Sequence, residues 1–412
     1  MIHLKKMVEI SLYCKYTSNA KRSNMKIAFI VSGNHLAGGN FVIYRHAKYL
    51  RSIGHEVHLL FVRLEKTKRI YFPDFDIPSY FLSEVASKGV FYDLAIATWW
   101  ETFYFLHRVN AGQYLYFCQS DERRFYSELP NRDRLESRSL LVGLTYRFRN
   151  IGIVTEARWI KDLLESEFHS VVEYAPNGVD LGIFNERVQP LAEREANKLR
   201  FLVEGPGSVA FKRVDHAFNA LKPFRDQIEV WYISGDGFCN PLWRPDRFFS
   251  SLSMRDMAPV YRSCDVLIKL SVVEGVFGPP LEMMACGNTA IVSDVTGFDE
   301  YIKHGKNALV VAMDDLRGTQ ATIGEVIRSG RNGLRSLCKV ARETATKMNW
   351  ERQHPLFERA ILKLAKRVPK VTPHIRGELA ALEKMKYALD GIPTPVKPLK
   401  KKARISRIQF LP

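Results

Sequence analysis

One segment of this chain, residues 265–294, limits the possible fold more than any other, because it carries the signals of a strand, a loop, a helix and a second strand in turn. DVLIKL (265–270) is a short apolar run rich in branched residues, which is typical of a buried parallel strand. Two glycines and a Pro-Pro step follow, and they favour a sharp turn and the start of a helix. LEMMAC predicts that helix, Gly287 its end, and TAIVSD the next strand. The pattern therefore predicts a βαβ unit and a parallel sheet.

Two carboxylates stand at the loop-to-helix junction of this segment, where folding alone gives no reason for them. Glu282 falls in the first helical turn, near free backbone amides and the positive end of the helix dipole, and Glu274 falls on the loop before it. Gly275 and Gly278 let the backbone approach a ligand closely and let both carboxylates face one crevice. Helix-end electrostatics alone would account for Glu282 but not for the pair. Because open α/β sheets bind ligands beyond the carboxyl ends of their strands, we predict a ligand site here.

The same organisation occurs twice along the chain. MKIAFIVSGN (25–34) has the pattern of a strand and its loop, residues 37–57 contain a helix with an apolar stripe, and LRFLVEGPGS (199–208) begins a second unit of the same kind. We therefore predict an α/β protein with two Rossmann-like domains facing a cleft. The predicted divisions are 1–24, an unstructured extension or a mis-assigned start; 25–190, the N-terminal Rossmann-like domain; 199–348, the C-terminal Rossmann-like domain; 349–391, terminal helices; and 392–412, a basic tail.

The segment around the two glutamates resembles retaining glycosyltransferases of family 4, which carry a Glu, seven residues and a second Glu. The resemblance extends backwards through YRSCDVLIKLS (261–271) and forwards through VTGFDEYIKHGKNALVV (295–311). It implies the GT-B fold, in which a late helix, here within 349–367, crosses back onto the first domain. It also implies that Glu274 lies against the transferred sugar, that Glu282 holds the ribose of the nucleotide, and that no metal is required.

Two further loops are candidates for holding the phosphates of a donor. EGPGSVAFKR (204–213) follows the first strand of the second domain and places Lys212 and Arg213 where they could offset the charge of a leaving diphosphate. In the resembled family such a lysine is usually paired with an arginine a few residues earlier, where this chain has Pro-Gly; Arg213 is expected to substitute, or the diphosphate to be held differently. Gly38 and Gly39 are expected to bring helix amides close to a phosphate. A solvated basic pair and an ordinary tight turn are the structural alternatives.

Two aromatic-rich stretches after predicted strands of the first domain are candidates for binding an acceptor. ATWWETFYFL (97–106) supplies Trp99 and Glu101, and YFCQSDERRFYSE (116–128) supplies Asp121. Aromatic rings and carboxylates suit sugar hydroxyls, although aromatic residues at such spacings also build cores. The second stretch loosely resembles the Gln-Asp-x-Glu region of rhamnosyltransferases that build surface polysaccharides, with Ser120 in place of the aspartate.

The net charge of the chain is +17, but it is concentrated at the ends, with +4 in residues 1–24 and +6 in residues 392–412. The basic tail is expected either to be solvated or to contact an anionic membrane surface. No nucleic-acid-binding signature accompanies the charge, so we predict no nucleic-acid partner. Six cysteines without a C-x-x-C pair favour reduced thiols and no zinc site. With no apolar run long enough to span a bilayer, we predict a cytoplasmic protein, peripheral at the inner membrane face if the tail binds lipid.

These features together predict a metal-independent glycosyltransferase that needs no cofactor and moves a sugar from a nucleoside diphosphate donor to a glycan or lipid-linked glycan. Two alternatives stay open. A GT-B-like protein that binds sugar nucleotides without turnover would keep the same features. Gly205-x-Gly207-x-x-Ala210 after a strand matches a dinucleotide-binding fingerprint, and with Asp236 it would suit a nicotinamide-dependent oxidoreductase. That last alternative assigns no function to Glu274 and Glu282.

Overall fold

Two parallel sheets, one after the other along the chain, form the framework of the molecule. The computed structural model describes residues 24–34, 37–63, 72, 74–126 and 132–390, with only the backbone for 132–135 and 390. The predicted N-terminal extension, except Asn24, and the basic tail lie outside the described residues. The described residues form thirteen strands, which belong to two parallel sheets, and eleven α-helices.

The first sheet has seven parallel strands in the order β3-β2-β1-β4-β5-β6-β7. Its central strands are buried because helices cover both faces, and five of the six residues of the first strand, KIAFIV, are buried. The strands are β1 (Lys26–Val31), β2 (Glu56–Phe61), β3 (Ser79–Phe81), β4 (Phe91–Ala97), β5 (Asn110–Cys118), β6 (Gly152–Thr155) and β7 (Val172–Tyr174). The helices are α1 (Gly38–Ser52), α2 (Leu82–Lys88), α3 (Trp100–Phe103), α4 (Arg132–Arg147) and α5 (Arg158–Phe168).

The second sheet has six parallel strands in the order β10-β9-β8-β11-β12-β13. The order reverses between β8 and β11, as it does between β1 and β4 in the first sheet, and such a reversal opens a crevice at the carboxyl ends of the strands. The strands are β8 (Leu199–Glu204), β9 (Ile228–Ser234), β10 (Arg247–Ser250), β11 (Val266–Lys269), β12 (Thr289–Ser293) and β13 (Leu309–Val311). The helices are α6 (Val214–Leu221), α7 (Met254–Ser263), α8 (Pro279–Ala285) and α9 (Leu316–Lys347), the last interrupted at Gly330, whose φ is 57°.

The last two helices return to the first domain. Helix α10 (Trp350–Arg367) inserts Phe357, Ile361 and Leu364 into the core beneath the first sheet. Helix α11 (Pro373–Asp390) buries Leu379 against the opposite face of that sheet, and its Glu383 pairs with Arg108. The predicted fold class, two Rossmann-like domains with C-terminal helices crossing back, is therefore confirmed. Among the described helices, none is both long enough and apolar enough to cross a bilayer.

Candidate active site in the cleft between the two sheets

The two sheets present their carboxyl ends to each other across a cleft of about 1000 Å³. The loops after β1, β4 and β5 line it from the first domain, and the loops after β8, β9 and β11 line it from the second. These loops include both points at which the strand order reverses, where ligands bind in open parallel sheets. The predicted strand, loop, helix and strand of residues 265–294 occur as β11, the loop, α8 and β12.

The predicted carboxylates lie together in this cleft. Helix α8 begins at Pro279 directly after Gly278, so that Glu282 lies in its first turn, while Glu274 lies on the loop between β11 and α8. Both residues line the cleft, as do Gly275 and Gly278. The Nζ atom of Lys212 donates a hydrogen bond to Oε1 of Glu274 at 2.7 Å. The structure thus brings together three residues that the sequence separates by up to seventy positions.

A second lysine, which the sequence analysis did not single out, completes an alternating row of charges on the floor of the cleft. The Nζ atom of Lys269 lies 2.7 Å from Oε2 of Glu204 and 3.9 Å from Oε1 of Glu274. Burial by itself would raise the pKa of Glu274, but the cations of Lys212 and Lys269 outweigh it and hold that pKa below its usual value. Glu274 is therefore a carboxylate at neutral pH. The available signal was the lysine within the apolar run DVLIKL, because a charged side chain in a buried strand is unfavourable unless it has a specific partner.

Glu282 has the opposite electrostatic environment. Burial, and then the nearby carboxylate of Glu204, raise the pKa of Glu282 to about 7. The site therefore holds one carboxylate that stays ionised and one that titrates close to neutrality. Both carboxyl groups can accept hydrogen bonds from the hydroxyl groups of a ligand, and the bonds to Glu274 and to Glu282 would depend on pH differently.

The first domain contributes the glycine loop predicted to approach a phosphate. Gly38 and Gly39 line the cleft at the start of α1, whose first amides have no partner within the helix. A Cβ atom on Gly39 would lie 3.1 Å from Oε1 of Gln119, so the loop packs closely against the end of β5. Trp99 and Glu101 also line the cleft, with the Trp99 ring 5.5 Å from that of Phe125.

Two predicted site residues lie away from the cleft. Arg213 adopts a left-handed backbone conformation with φ of 50°, and its guanidinium group donates to Asp314 at 3.0 Å. Asp121 accepts two hydrogen bonds from the guanidinium group of Arg123, at 2.8 and 2.9 Å. Neither residue is among those that line the cleft. The structure therefore does not bring Arg213 to the other donor residues, nor Asp121 to Trp99 and Glu101.

Two buried glutamates lie at the first-domain edge of the cleft: Glu122, within the aromatic-rich stretch 116–128, and Glu156, which the sequence analysis did not single out. Burial raises the pKa of Glu122 to about 8, and its Oε2 atom accepts a hydrogen bond from the backbone of Trp100 at 2.6 Å. Burial likewise raises the pKa of Glu156 to about 8, and Asn177 donates to its Oε2 atom at 2.7 Å. Both carboxyl groups are protonated at neutral pH and line the cleft. In the sequence Glu156 directly follows the apolar run IGIVT, and its place at the end of a predicted strand was the available signal.

Contacts between the domains hold the cleft in a closed arrangement. The indole Nε1 of Trp159 donates to the carbonyl oxygen of Gly275 at 2.9 Å, and Arg124 donates to the carbonyl oxygen of Val272 at 3.0 Å. Glu300 of the second domain accepts a hydrogen bond from Tyr174 of the first at 2.7 Å. The loop that carries Glu274 is thus fixed from the opposite domain.

The loop after β8 is closed by Asp236, the acidic residue on which the dinucleotide interpretation depended. Its carboxylate accepts hydrogen bonds from the backbone of Gly207 at 3.2 Å and of Ser208 at 3.0 Å. These bonds engage the carboxylate within the loops of its own domain, although Asp236 also lines the cleft. No observation in the described residues favours the oxidoreductase over the glycosyltransferase.

Comparisons with known proteins agree with this architecture. Residues 207–329, which contain Lys212, Glu274 and Glu282, match the family model described as Glycosyl transferases group 1. Sucrose-phosphate synthase from Thermosynechococcus elongatus has a similar structure, with a TM-score of 0.65 at 17% identity over 83% of this chain and 99% of that one. HepE from Anabaena, solved with UDP-glucose, has a TM-score of 0.65 at 14% identity over 82% of this chain and 100% of its own.

A third similar structure is WaaG, a glycosyltransferase involved in lipopolysaccharide biosynthesis, with a TM-score of 0.63 at 15% identity over 83% of this chain and 99% of that one. None of the curated proteins compared with the chain matches it. The structural similarities confirm the GT-B fold, and the similarity to group 1 glycosyl transferases lies in residues 207–329.

Proposed function

We propose that the protein is a retaining glycosyltransferase that moves a sugar from a nucleoside diphosphate to a glycan. One observation carries the proposal: Lys212, Glu274 and Glu282 converge on a single cleft between two Rossmann-like domains. The match of residues 207–329 to a glycosyltransferase family supports it. HepE, which shares the fold, was solved with UDP-glucose, and a nucleotide sugar is the ligand that we propose here.

Each residue has a proposed task that its geometry permits. Glu282, at the first turn of α8, would accept hydrogen bonds from the ribose hydroxyls. Lys212, on the short turn Ala210–Lys212 and partly exposed, would approach the diphosphate as negative charge develops on it. Glu274, ionised and adjacent to Lys212, would orient the sugar and stabilise positive charge at its anomeric carbon. The amides at Gly38 and Gly39 would face the donor from the first domain.

The acceptor is proposed to bind along the first-domain wall of the cleft. Trp99 offers an aromatic face, and Glu101 a carboxylate that Arg138 holds at 3.3 Å. A surface polysaccharide or a lipid-linked glycan would suit this wall. WaaG acts in lipopolysaccharide biosynthesis, and the acceptor proposed here is of related chemistry. A cytoplasmic location beside the inner membrane face remains a prediction, because the basic tail on which it rests is outside the described residues.

Metal independence is also part of the proposal. No group of three or more His, Cys, Asp or Glu side chains within the described ranges is arranged to hold a metal ion. We expect the cationic side chain of Lys212, rather than a divalent ion, to offset the charge of the diphosphate. A chelator such as EDTA should then leave both nucleotide binding and turnover unchanged.

A thermal-shift screen of nucleoside diphosphates and their sugars, with magnesium or with EDTA, tests the donor site. Binding to the native state raises the melting temperature by mass action, so one nucleotide family should raise it in both conditions. Glu274→Ala and Glu282→Ala should then fold normally and lose most of the sugar transfer. A shift only with nicotinamide dinucleotides would overturn the proposal. Nucleotide binding without sugar release by the unmodified protein would favour a binding protein without turnover.

A further inference from the structure

Lys269 is a charged side chain at the end of a buried parallel strand. It is the last residue of β11, and its side chain is only 3% exposed. A buried ammonium group is unfavourable unless it is paired and hydrogen-bonded. Glu204 meets that requirement, because its carboxylate lies 2.7 Å and its carbonyl oxygen 3.3 Å from Nζ of Lys269. Burial lowers the pKa of Lys269, but the carboxylates of Glu204 and Glu274 raise it by more. The pKa of Lys269 therefore lies above its usual value.

The pair of Lys269 and Glu204 is held by the central strands of the sheet and not by loops. Glu204 is the last residue of β8, which is directly hydrogen-bonded to β11. The two residues therefore stand side by side at the point where the strand order reverses, on the floor of the cleft. Lys212, in contrast, lies on a turn, and its side chain is 20% exposed. Glu274 thus has one cationic neighbour at the end of a buried strand and another on a partly exposed turn.

The proposed function places two demands on Lys212 that compete. Its ammonium group is hydrogen-bonded to Glu274 at 2.7 Å, yet the leaving diphosphate needs the same cation. Once Lys212 turned to the diphosphate, Glu274 would lose its nearest positive charge although its side chain is only 11% exposed. A second cation beside Glu274 removes the conflict, and Lys269 lies 3.9 Å from its Oε1 atom.

We propose that Lys269 is a positioning residue, fixed by Glu204, that keeps the Glu274 carboxylate oriented and its charge compensated while Lys212 moves to the leaving diphosphate. The inference rests on the proposed function, because it assigns Lys269 a part in the same reaction. It also explains how the charges in the cleft are balanced without Arg213, whose side chain points to Asp314. This chain has no arginine a few residues before Lys212 either, because Pro206 and Gly207 stand there. Lys269 itself is not expected to touch the nucleotide.

The test compares variants that keep the buried charges balanced. Lys269→Met alone would leave Glu204 buried and unpaired and could unfold the domain, so the informative protein is Glu204→Gln/Lys269→Met, in which both charges are removed. The matched control is Arg225→Met/Asp246→Asn, which removes an exposed pair 3.0 Å apart at the outer end of the same sheet. Release of nucleoside diphosphate from UDP-, ADP-, GDP- and dTDP-hexoses, and the melting temperature with each free nucleoside diphosphate, are measured for all of them.

We expect the Glu204→Gln/Lys269→Met protein to bind the nucleoside diphosphate as the unmodified protein does, while its kcat falls by about tenfold to a hundredfold at nearly unchanged KM. The control pair should keep its kcat. A kcat equal to that of the unmodified protein would overturn the inference and leave the pair a structural one. A loss of nucleotide affinity as large as the loss of kcat would also overturn the inference, because Lys269 would then be a nucleotide ligand.

A second readout is independent of turnover and separates this inference from the proposed function. The ionisation of Glu274 is followed by the ¹³C shift of its carboxyl carbon in Lys212→Met protein, where Lys269 is the remaining cationic neighbour. Glu274 should stay ionised at neutral pH there and become protonated when Glu204→Gln/Lys269→Met is added. Identical titrations would refute the positioning role. If the unmodified protein released nucleotide from none of the sugars, the proposed function would fail, and this titration would still decide the role of Lys269.

Discussion

Gly275 lies at a close contact between the two domains, and enlarging it by one methyl group should hold the cleft open. A Cβ atom added there would lie 1.9 Å from the carbonyl oxygen of Gln119 and 2.9 Å from Oε1 of Glu156. Contacts below 3.0 Å are essentially never made by real Cβ atoms, so a displacement of at least about 1 Å is required. The carbonyl group of Gly275 is enclosed on its other side by Gly297 and Trp159. The loop therefore cannot move aside alone, and the domains must separate.

The expected effect of Gly275→Ala on catalysis follows from that displacement. Separation breaks the hydrogen bonds from Trp159 to Gly275 and from Arg124 to Val272, and it moves Glu274 relative to the acceptor wall. A misplacement of about 1 Å can cost roughly a hundredfold in rate, so we expect kcat for sugar transfer to fall by about that factor. Nucleotide affinity should fall less than kcat, because Lys212, Glu274 and Glu282 belong to one domain. Of the proposed donor contacts, only those of the amides at Gly38 and Gly39 would be displaced.

The assay combines steady-state sugar transfer, thermal shift with nucleoside diphosphates, and small-angle scattering with and without the donor. The radius of gyration of Gly275→Ala should exceed that of the unmodified protein in the presence of the donor. Gly377→Ala is the control, since an added Cβ at Gly377, in helix α11, meets no atom within 4 Å. A Gly275→Ala protein with the compactness and kcat of the unmodified one would refute the reasoning that this closed arrangement is the reactive one.

Three further predictions concern stability. The pKa of Glu122 in the folded protein, about 8, lies above the 4.5 of an ordinary glutamate, so the folded state keeps a proton that the unfolded state loses. The free energy of unfolding should therefore fall as pH rises between these values. In urea unfolding, the fall should be less steep for Glu122→Gln than for the unmodified protein. Gly152→Ala should lower the free energy of unfolding by about 1–3 kcal/mol in the same experiment, because its Cβ would lie 2.9 Å from Leu364 of the returning helix; an unchanged midpoint would contradict it. Burial by itself would raise the pKa of Glu383, but His107 and Arg108 outweigh it and lower that pKa. The stabilisation that Glu383 gives the fold is therefore present above the carboxyl pKa of the unfolded chain and is lost as pH falls. At neutral pH, limited proteolysis should cut helix α11 in Glu383→Ala more readily than in the unmodified protein.

Much of the fold could be predicted because its signals are local. The run DVLIKL, the glycines and prolines after it and LEMMAC specify a strand, a turn and a helix within thirty residues, and the structure has β11 and α8 there. The positions of Glu274 and Glu282 at that junction follow from the same short segment. Helix α10 could be predicted from its amphipathic pattern, and its return to the first domain from the family resemblance.

The partners of the charged side chains could not be predicted, because they are set by which strands become neighbours. Lys269 and Glu204 are 65 residues apart in the chain and adjacent in space only because β8 and β11 pair. Arg213 follows Lys212 directly, yet its left-handed backbone turns it to Asp314, 101 residues away. Spacing and residue type along the chain are sufficient to predict two parallel-sheet units and a pair of glutamates at a ligand edge. The cations that compensate those glutamates, and the close approach of the domains at Gly275, depend on contacts between segments far apart in the chain and are visible only in the folded molecule.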